Sequence, residues 1–392
     1  MKRVCIITPE YPPEQWGGLA RTVQRVANHA KSFGCEVHVV HLSVKPDCLV
    51  LLDENRTITF HDGITIHRIF LGKERLDDSR DRDIWDCPHT LTLLMMYQSL
   101  EKLLRSERFD LLHSFFLYPV GYVTGLLARR FGIPTLATIV GNDVKKYIFS
   151  PEKVAVCRSG LENAERVAAL SHDLVEMADA LVPIREKARV IFNSVELPQR
   201  SWQPKKREDN EWIIGAGGIF KYAKGLPYLL KALAKLRASH PVRLELCGRL
   251  RPEEQKVFTH LIAHLKLEGR VLLREPLPHA EVFRWLSDLD VFVLPSVSEG
   301  CPNILMEALA TGVPTVATRT GANEELVTHH SSGLLVPIGD SEALAEAIRE
   351  LLDNAEQAQN FGAKARESMK NFSSERERAA WQKLYLELLE KE

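Results

Sequence analysis

Short apolar runs occur at Val4–Thr8, Val37–His41, Ile64–Ile69, Leu111–His113, Thr135–Val140 and Val167–Leu170. Between them lie longer stretches, such as Thr22–Phe33 and Leu93–Leu104, in which apolar residues return every three or four positions. A run of strand length bounded by turn residues fits a strand buried on both faces, and the three-to-four spacing fits an amphipathic helix. Alternation of the two predicts a parallel sheet covered on both faces. The pattern lapses at residues 199–210, a polar, aperiodic stretch that is the expected linker. A second series then starts at Trp212–Gly217 and continues through Leu244–Cys247, Val271–Arg274, Val291–Pro295, Thr315–Ala317 and Leu334–Val336. Two doubly wound α/β domains are therefore expected, over residues 1–198 and 211–372. A last helix, within 373–392, starts after Ser373 or Ser374 and carries Trp381, Leu384 and Leu388 on one face.

Composition narrows the picture. With 392 residues, 45% of them hydrophobic, the chain can bury a core in each of two domains. A net charge of -1, with Lys and Arg spread along the chain, gives no general attraction to nucleic acid. The seven cysteines form no C-x-x-C pair or zinc spacing, and an odd, scattered set suits a reducing compartment, so a cytoplasmic location is expected. Met1–Thr8 is too short in its apolar part for a signal peptide, and no apolar stretch is long enough to span a membrane.

Candidate chemistry concentrates between Ser296 and Pro314. Asp290–Pro295 reads as a buried strand, Pro302 suits the first position of a helix, and Thr311-Gly312 ends it. Glu299 then lies in the loop and Glu307 within the helix. Eight residues at ~1.5 Å each separate them by about 12 Å at most. Hydrolase acid/base pairs work at roughly 5 to 9.5 Å, so two ends of one extended ligand suit this spacing better. Between the carboxylates lies a helix start, whose N–H groups and partial positive charge receive phosphate. A sugar, a diphosphate and a ribose fit that order. Gly17-Gly18 follows the first strand, where tandem glycines let the backbone approach a diphosphate closely.

The segment Glu299-Gly300-Cys301-Pro302-Asn303-Ile304-Leu305-Met306-Glu307 resembles the E-x7-E signature of the retaining family 4 glycosyltransferases. Other pieces are similar to further family elements: Pro12 to Ala20 to the glycine-rich loop, Asn193-Ser-Val-Glu196 to N-G-V-D, Lys224-Gly225 to the K-G pair, and Gly321-Ala-Asn-Glu-Glu325 to G-G-x-x-E. The resemblance runs from residue 1 to about 392 and implies the GT-B fold, two Rossmann-like domains with parallel sheets facing across a cleft. It implies a UDP-, GDP- or ADP-sugar as donor, and an acceptor such as a glycan, a lipid-linked sugar or a small molecule, in bacterial glycan biosynthesis. By the same resemblance Glu299 binds the sugar hydroxyls, Glu307 the ribose diol, and Glu325 supports the donor. Gly17, Gly18, Gly300, Cys301, Asn303 and Ile304 line the donor, Lys224 meets its phosphates, and Asp143 completes the reacting site. The final helix is expected to pack back on the first domain.

No cofactor or metal is expected. Asp81-Arg-Asp83 lies in a polar loop and Asp288-Leu-Asp290 precedes its strand, whereas metal-dependent transferases place D-x-D just after one. Two positions depart from the family pattern: Ile219 stands where a diphosphate-binding arginine is usual, with Lys221 as a substitute out of register, and Val140 stands where many members have histidine. His113 is a further candidate for the cleft. The acceptor side is sought in residues 72–89, with Trp85, and in Phe115–Tyr118. Lys145-Lys146 and Arg129-Arg130 suggest contact with an anionic membrane face. Two alternatives stay open: a GT-B module that binds a nucleotide or partner without catalysis, and a GT-B epimerase or phosphorylase.

Overall fold

The computed structural model describes residues 1–14, 17–45, 55–72, 90–205 and 211–390. The chain divides into two compact units, Met1–Phe192 with Glu377–Glu392, and Asn193–Arg376.

The first unit is built on β1 (Arg3–Thr8), β2 (Glu36–Lys45), β3 (Arg56–His61), β4 (Ile64–Gly72), β5 (Leu111–Phe115), β6 (Thr135–Ile139), β7 (Arg166–Ala169) and β8 (Ala188–Val190). Their order in the sheet is β3-β4-β2-β1-β5-β6-β7-β8. All neighbours run parallel except β3, which pairs antiparallel with β4. Strands β3 and β8 are additions to the sequence-based expectation. β3 is exposed along its whole length, so it carries no buried apolar run to announce it, and β8 has only three residues. Ile7, Leu42, Ile69, Met96, Leu103 and Leu112 form part of the core beneath the helices. The terminal helix Ser374–Leu389 buries Trp381, Leu384, Tyr385 and Leu388. At its start the Glu377 carboxylate, almost fully buried, pairs with the Arg25 guanidinium at 3.1 Å.

The second unit holds β9 (Trp212–Phe220), β10 (Val242–Leu250), β11 (Val271–Arg274), β12 (Val291–Leu294), β13 (Thr315–Thr318) and β14 (Leu334–Val336), all parallel, in the order β11-β10-β9-β12-β13-β14. The chain winds outward from β9 to β11, then returns and winds outward the other way from β12. The switch point thus falls between β9 and β12, and doubly wound sheets take their ligands beyond the carboxyl ends of the strands at such a point.

The expected linker is corrected in its amino-terminal part. Trp202 is buried in the second unit, its amide bonds the Thr311 carbonyl, and its indole N–H donates to the Leu289 carbonyl at 2.7 Å. The Arg366 guanidinium holds the Pro198 carbonyl in the same unit. A buried tryptophan with its polar atom satisfied anchors a segment, and periodicity cannot reveal a single anchor. Residues 206–210 lie outside the described residues.

Candidate active site

The loops after β9 and β12 meet at the switch point. A turn over Tyr222–Lys224 ends at Gly225, which adopts φ +66 and opens the helix Leu226–Leu236. A Cβ at Gly225 would sit 1.8 Å from the Pro295 carbonyl oxygen, so glycine is required twice over, by φ and by space. The Ala223 carbonyl accepts the Val297 amide at 2.8 Å, stitching the two loops together.

This places the Lys224 ammonium 2.6 Å from Oε1 of Glu299, with both side chains largely buried. The hydroxyl of Ser296, itself fully buried, donates to the same carboxylate oxygen at 2.6 Å. Glu299 is therefore oriented from two sides. Its backbone is fixed as well. Gly321 (φ +54) brings the chain after β13 so near the Glu299 carbonyl that a Cβ would lie 2.2 Å from it, and the Ala322 amide bonds the Gly300 carbonyl at 2.8 Å. The Asn193 amide group donates to the Cys301 carbonyl at 3.0 Å, which gives the N-S-V-E element a local task.

The helix Asn303–Thr311 follows. Pro302 is its N-cap rather than its first helical residue, since ψ is still extended there. No side chain caps this helix start and its first turn holds no acid, so the positive end of the dipole faces no protein carboxylate within the helix. The Ile304 side chain packs over Gly217 of β9, where a Cβ would lie 3.0 Å from Ile304 Cγ1. Glu307 is buried one turn on, and its carboxylate oxygen lies 3.0 Å from Nε2 of His279, a half-exposed imidazole. The Cys247 thiol, whose pKa burial pushes up, feels the Glu307 charge. Glu325 is half-buried in the short helix Asn323–Leu326.

Ser296 and His279 were not assigned from sequence. Ser296 lies three residues before Glu299, a spacing that would have flagged it. His279 had no signal, because its contact spans 28 positions between different helices.

In the first unit, Gly17 caps and Gly18 opens the helix Gly18–Ser32. Asp143 is fully enclosed: it accepts the Leu117 amide at 2.7 Å and the Val140 amide at 2.8 Å. Burial raises its pKa to about 6 against the pull of these amides. It shapes the loops after β5 and β6 through the backbone rather than by offering its carboxylate to a ligand. His113 does not line a cleft. Its Nδ1 lies 2.8 Å from the Tyr385 hydroxyl and its Nε2 2.7 Å from that of Thr138, at zero exposure. Phe115–Tyr118 is likewise buried, so it offers little surface to an acceptor. Trp85, Asp81 and Asp83 lie outside the described residues. Asp290 accepts the Ile213 amide and Asp288 pairs with Lys205. All four cations considered for membrane contact have internal partners: Lys145 with Asp173, Arg130 with Glu101, Arg129 with Asn163, and Lys146 over the Tyr147 ring. Among the described residues no helix is long and apolar enough to cross a membrane.

Burial lowers the pKa of His113 to about 3, so the folded state keeps it neutral while the unfolded chain takes up a proton below its ordinary value near 6.5. The unfolded state then binds more protons, and stability falls as the pH drops from about 6.5 toward 3. His67, lowered to about 4 by burial, acts in the same sense, whereas the raised Asp143 acts oppositely between about 3.8 and 6. Melting midpoints between pH 7 and 4 are expected to fall more steeply for the wild type than for His113→Gln; equal slopes would refute the assignment.

Residues 198–368 match the family model described as glycosyl transferases group 1, and residues 17–194 match the glycosyl transferase 4-like domain. The chain belongs to this family: it is a family 4 glycosyltransferase of GT-B fold. It is similar to the N-acetyl-alpha-D-glucosaminyl L-malate synthase of Bacillus anthracis, 26% identical over 76% of this chain and 79% of that one. It is also similar to a GDP-mannose-dependent alpha-mannosyltransferase of Mycobacterium tuberculosis, 26% identical over 94% of this chain and 92% of the other. Among solved structures, the sucrose-phosphate synthase of Thermosynechococcus elongatus superposes with a TM-score of 0.80 over 99% of both chains at 21% identity, a likeness of fold.

Proposed function

We propose that the enzyme transfers a sugar from a nucleoside diphosphate to an acceptor hydroxyl with retention at the anomeric carbon, without a metal, in bacterial glycan, glycolipid or polysaccharide biosynthesis. The observation that carries this is the Lys224–Glu299 pair, 2.6 Å apart at the switch point beside an uncapped helix start. Glu299, held by Lys224 and Ser296, holds the sugar hydroxyls. The acceptor oxygen bonds to the anomeric carbon as the bond to the phosphate oxygen breaks, and the departing phosphate takes the acceptor proton. Negative charge grows on that phosphate, where Lys224 and the amides of Asn303 and Ile304 stabilise it, the part a metal plays elsewhere. Glu307, steadied by His279, accepts the ribose diol, and Glu325 supports the donor. The mycobacterial relative's GDP-mannose dependence supports a nucleotide-sugar donor, drawn from UDP-, GDP- or ADP-sugars.

Calorimetric titration with UDP, GDP and ADP tests this. One of them is expected to bind, and Glu307→Ala is expected to weaken it by roughly 10-fold or more, the worth of a hydrogen bond to a charged group. No binding of any of the three would favour a GT-B module without donor chemistry. With the donor known, activity unchanged by EDTA and a product anomer matching the donor's, read by NMR, are the further expected results.

A further inference from the structure

Ile219 leaves the second unit without the expected cation at that position of β9. The Lys224 ammonium, the nearest candidate to serve a diphosphate, is already paired with Glu299, so the two groups together carry no net charge. The register of the sheet shows where another positive charge stands. β10 pairs with β9 through to their carboxyl ends, Gly248 opposite Gly218, Arg249 opposite Ile219 and Leu250 opposite Phe220. Partners in register project to the same face of a sheet, and successive residues to opposite faces. Phe220 is buried in the core, with Leu250 packed against it, while Ile219 and Arg249 are exposed. Arg249 therefore emerges beside Ile219, on the face opposite the one that Phe220 buries, the face on which Ile304 packs over Gly217.

The backbone beneath it is unusual. Gly218 and Gly248 adopt φ +134 and +143, and a Cβ at Gly248 would lie 1.9 Å from the Gly218 carbonyl oxygen. The two strand ends are thus in close contact immediately before Ile219 and Arg249. The Lys224 side chain passes over the same Gly218, with Cε 3.5 Å from where a Cβ would be. Gly218 is flanked by Lys224 and by the strand end that carries Arg249. Among the described residues no carboxylate or hydrogen-bond partner engages the Arg249 guanidinium, although many arginines of the chain have one.

We infer that Arg249, on the neighbouring strand, binds the donor's diphosphate in place of the side chain missing at Ile219. A guanidinium is suited to this, because its planar fork bonds phosphate oxygens in pairs and stays charged at every working pH. This inference rests on the nucleotide-sugar reading above.

The test is titration of the wild type, Arg249→Ala, and the double variant Arg249→Ala/Ile219→Arg with the nucleoside diphosphate and monophosphate of the base that binds. Arg249→Ala is expected to weaken the diphosphate roughly 10- to 100-fold, the worth of a hydrogen bond to a charged group, and the monophosphate less. Ile219→Arg is expected to restore most of that loss, and a residue of merely structural importance would not be rescued in this way. An unchanged melting midpoint checks that the single variant folds. Diphosphate affinity within twofold of wild type in Arg249→Ala, or a loss that Ile219→Arg does not recover, overturns the inference while leaving the donor reading intact. A wild type that binds none of UDP, GDP or ADP overturns the donor reading itself, and this inference with it.

Discussion

Lys224→Ala is expected to lower kcat/KM by about 10²–10³, the typical loss when one preorganised donor to a developing negative charge is removed. The ammonium is held within 2.6 Å of Glu299 by a tight turn and by the Ala223–Val297 backbone bond, so its position is set before any ligand arrives. The substitution removes charge stabilisation from the departing phosphate and one of the two groups that aim the Glu299 carboxylate. Ser296 still donates to Glu299, which keeps that acid from being left buried without a partner. The fold is therefore expected to survive, with a melting midpoint within a few degrees of wild type. Lys224→Arg keeps the charge but replaces a compact ammonium with a planar fork, and is expected to recover only part of the rate. Steady-state kinetics on the purified enzyme decides the matter: activity within a few-fold of wild type in Lys224→Ala would remove Lys224 from the chemistry.

The second large effect is expected at a residue with no side chain. Gly225→Ala must fit a methyl group where the Pro295 carbonyl oxygen would be 1.8 Å away, at a φ of +66 that alanine adopts only at a cost. Either the turn carrying Lys224 or the segment leading to Glu299 has to move, and the 2.6 Å pair opens. Displacement of a catalytic group by about 1 Å costs about 10²-fold in rate, and left-handed backbone strain about 1–3 kcal/mol in stability. Loss of rate alongside a modest shift in denaturation midpoint is the expected pattern. Wild-type activity in Gly225→Ala would show that the close approach to Pro295 is not what sets the pair.

Glu299 and Glu307 were legible in the sequence as two carboxylates flanking a helix start, because local geometry follows from local sequence, whereas Lys224 and Gly225 rested on the resemblance to the family's K-G pair. The strands that seat them were legible from local sequence. β9, β12 and β13 are short apolar runs, whereas the exposed β3 and the three-residue β8 lack that signature. The resemblance to a known family placed the motifs in one site, but it could not say which side chains would be open to a ligand. His113 was a cleft candidate from its place at a strand end, where a histidine is more often structural, and Asp143 was a site candidate from the family resemblance. Burial decided otherwise: the Tyr385 hydroxyl, 272 positions away, occupies one nitrogen of His113, and backbone amides occupy the Asp143 carboxylate.

What the sequence determined by itself was the buried strands, the longer helices and the residue types at their ends, because hydrophobic period, turn residues and helix boundaries are properties of neighbours along the chain. The tertiary structure alone decided which distant residues share an environment. It brought His279 to Glu307, anchored Trp202 to Leu289, drew Gly321 against Glu299 and set Arg249 beside Ile219. Each of these depends on sheet register or on close packing between elements far apart in sequence. A one-residue slip in register turns a side chain to the opposite face, and that is fixed only when the whole core packs.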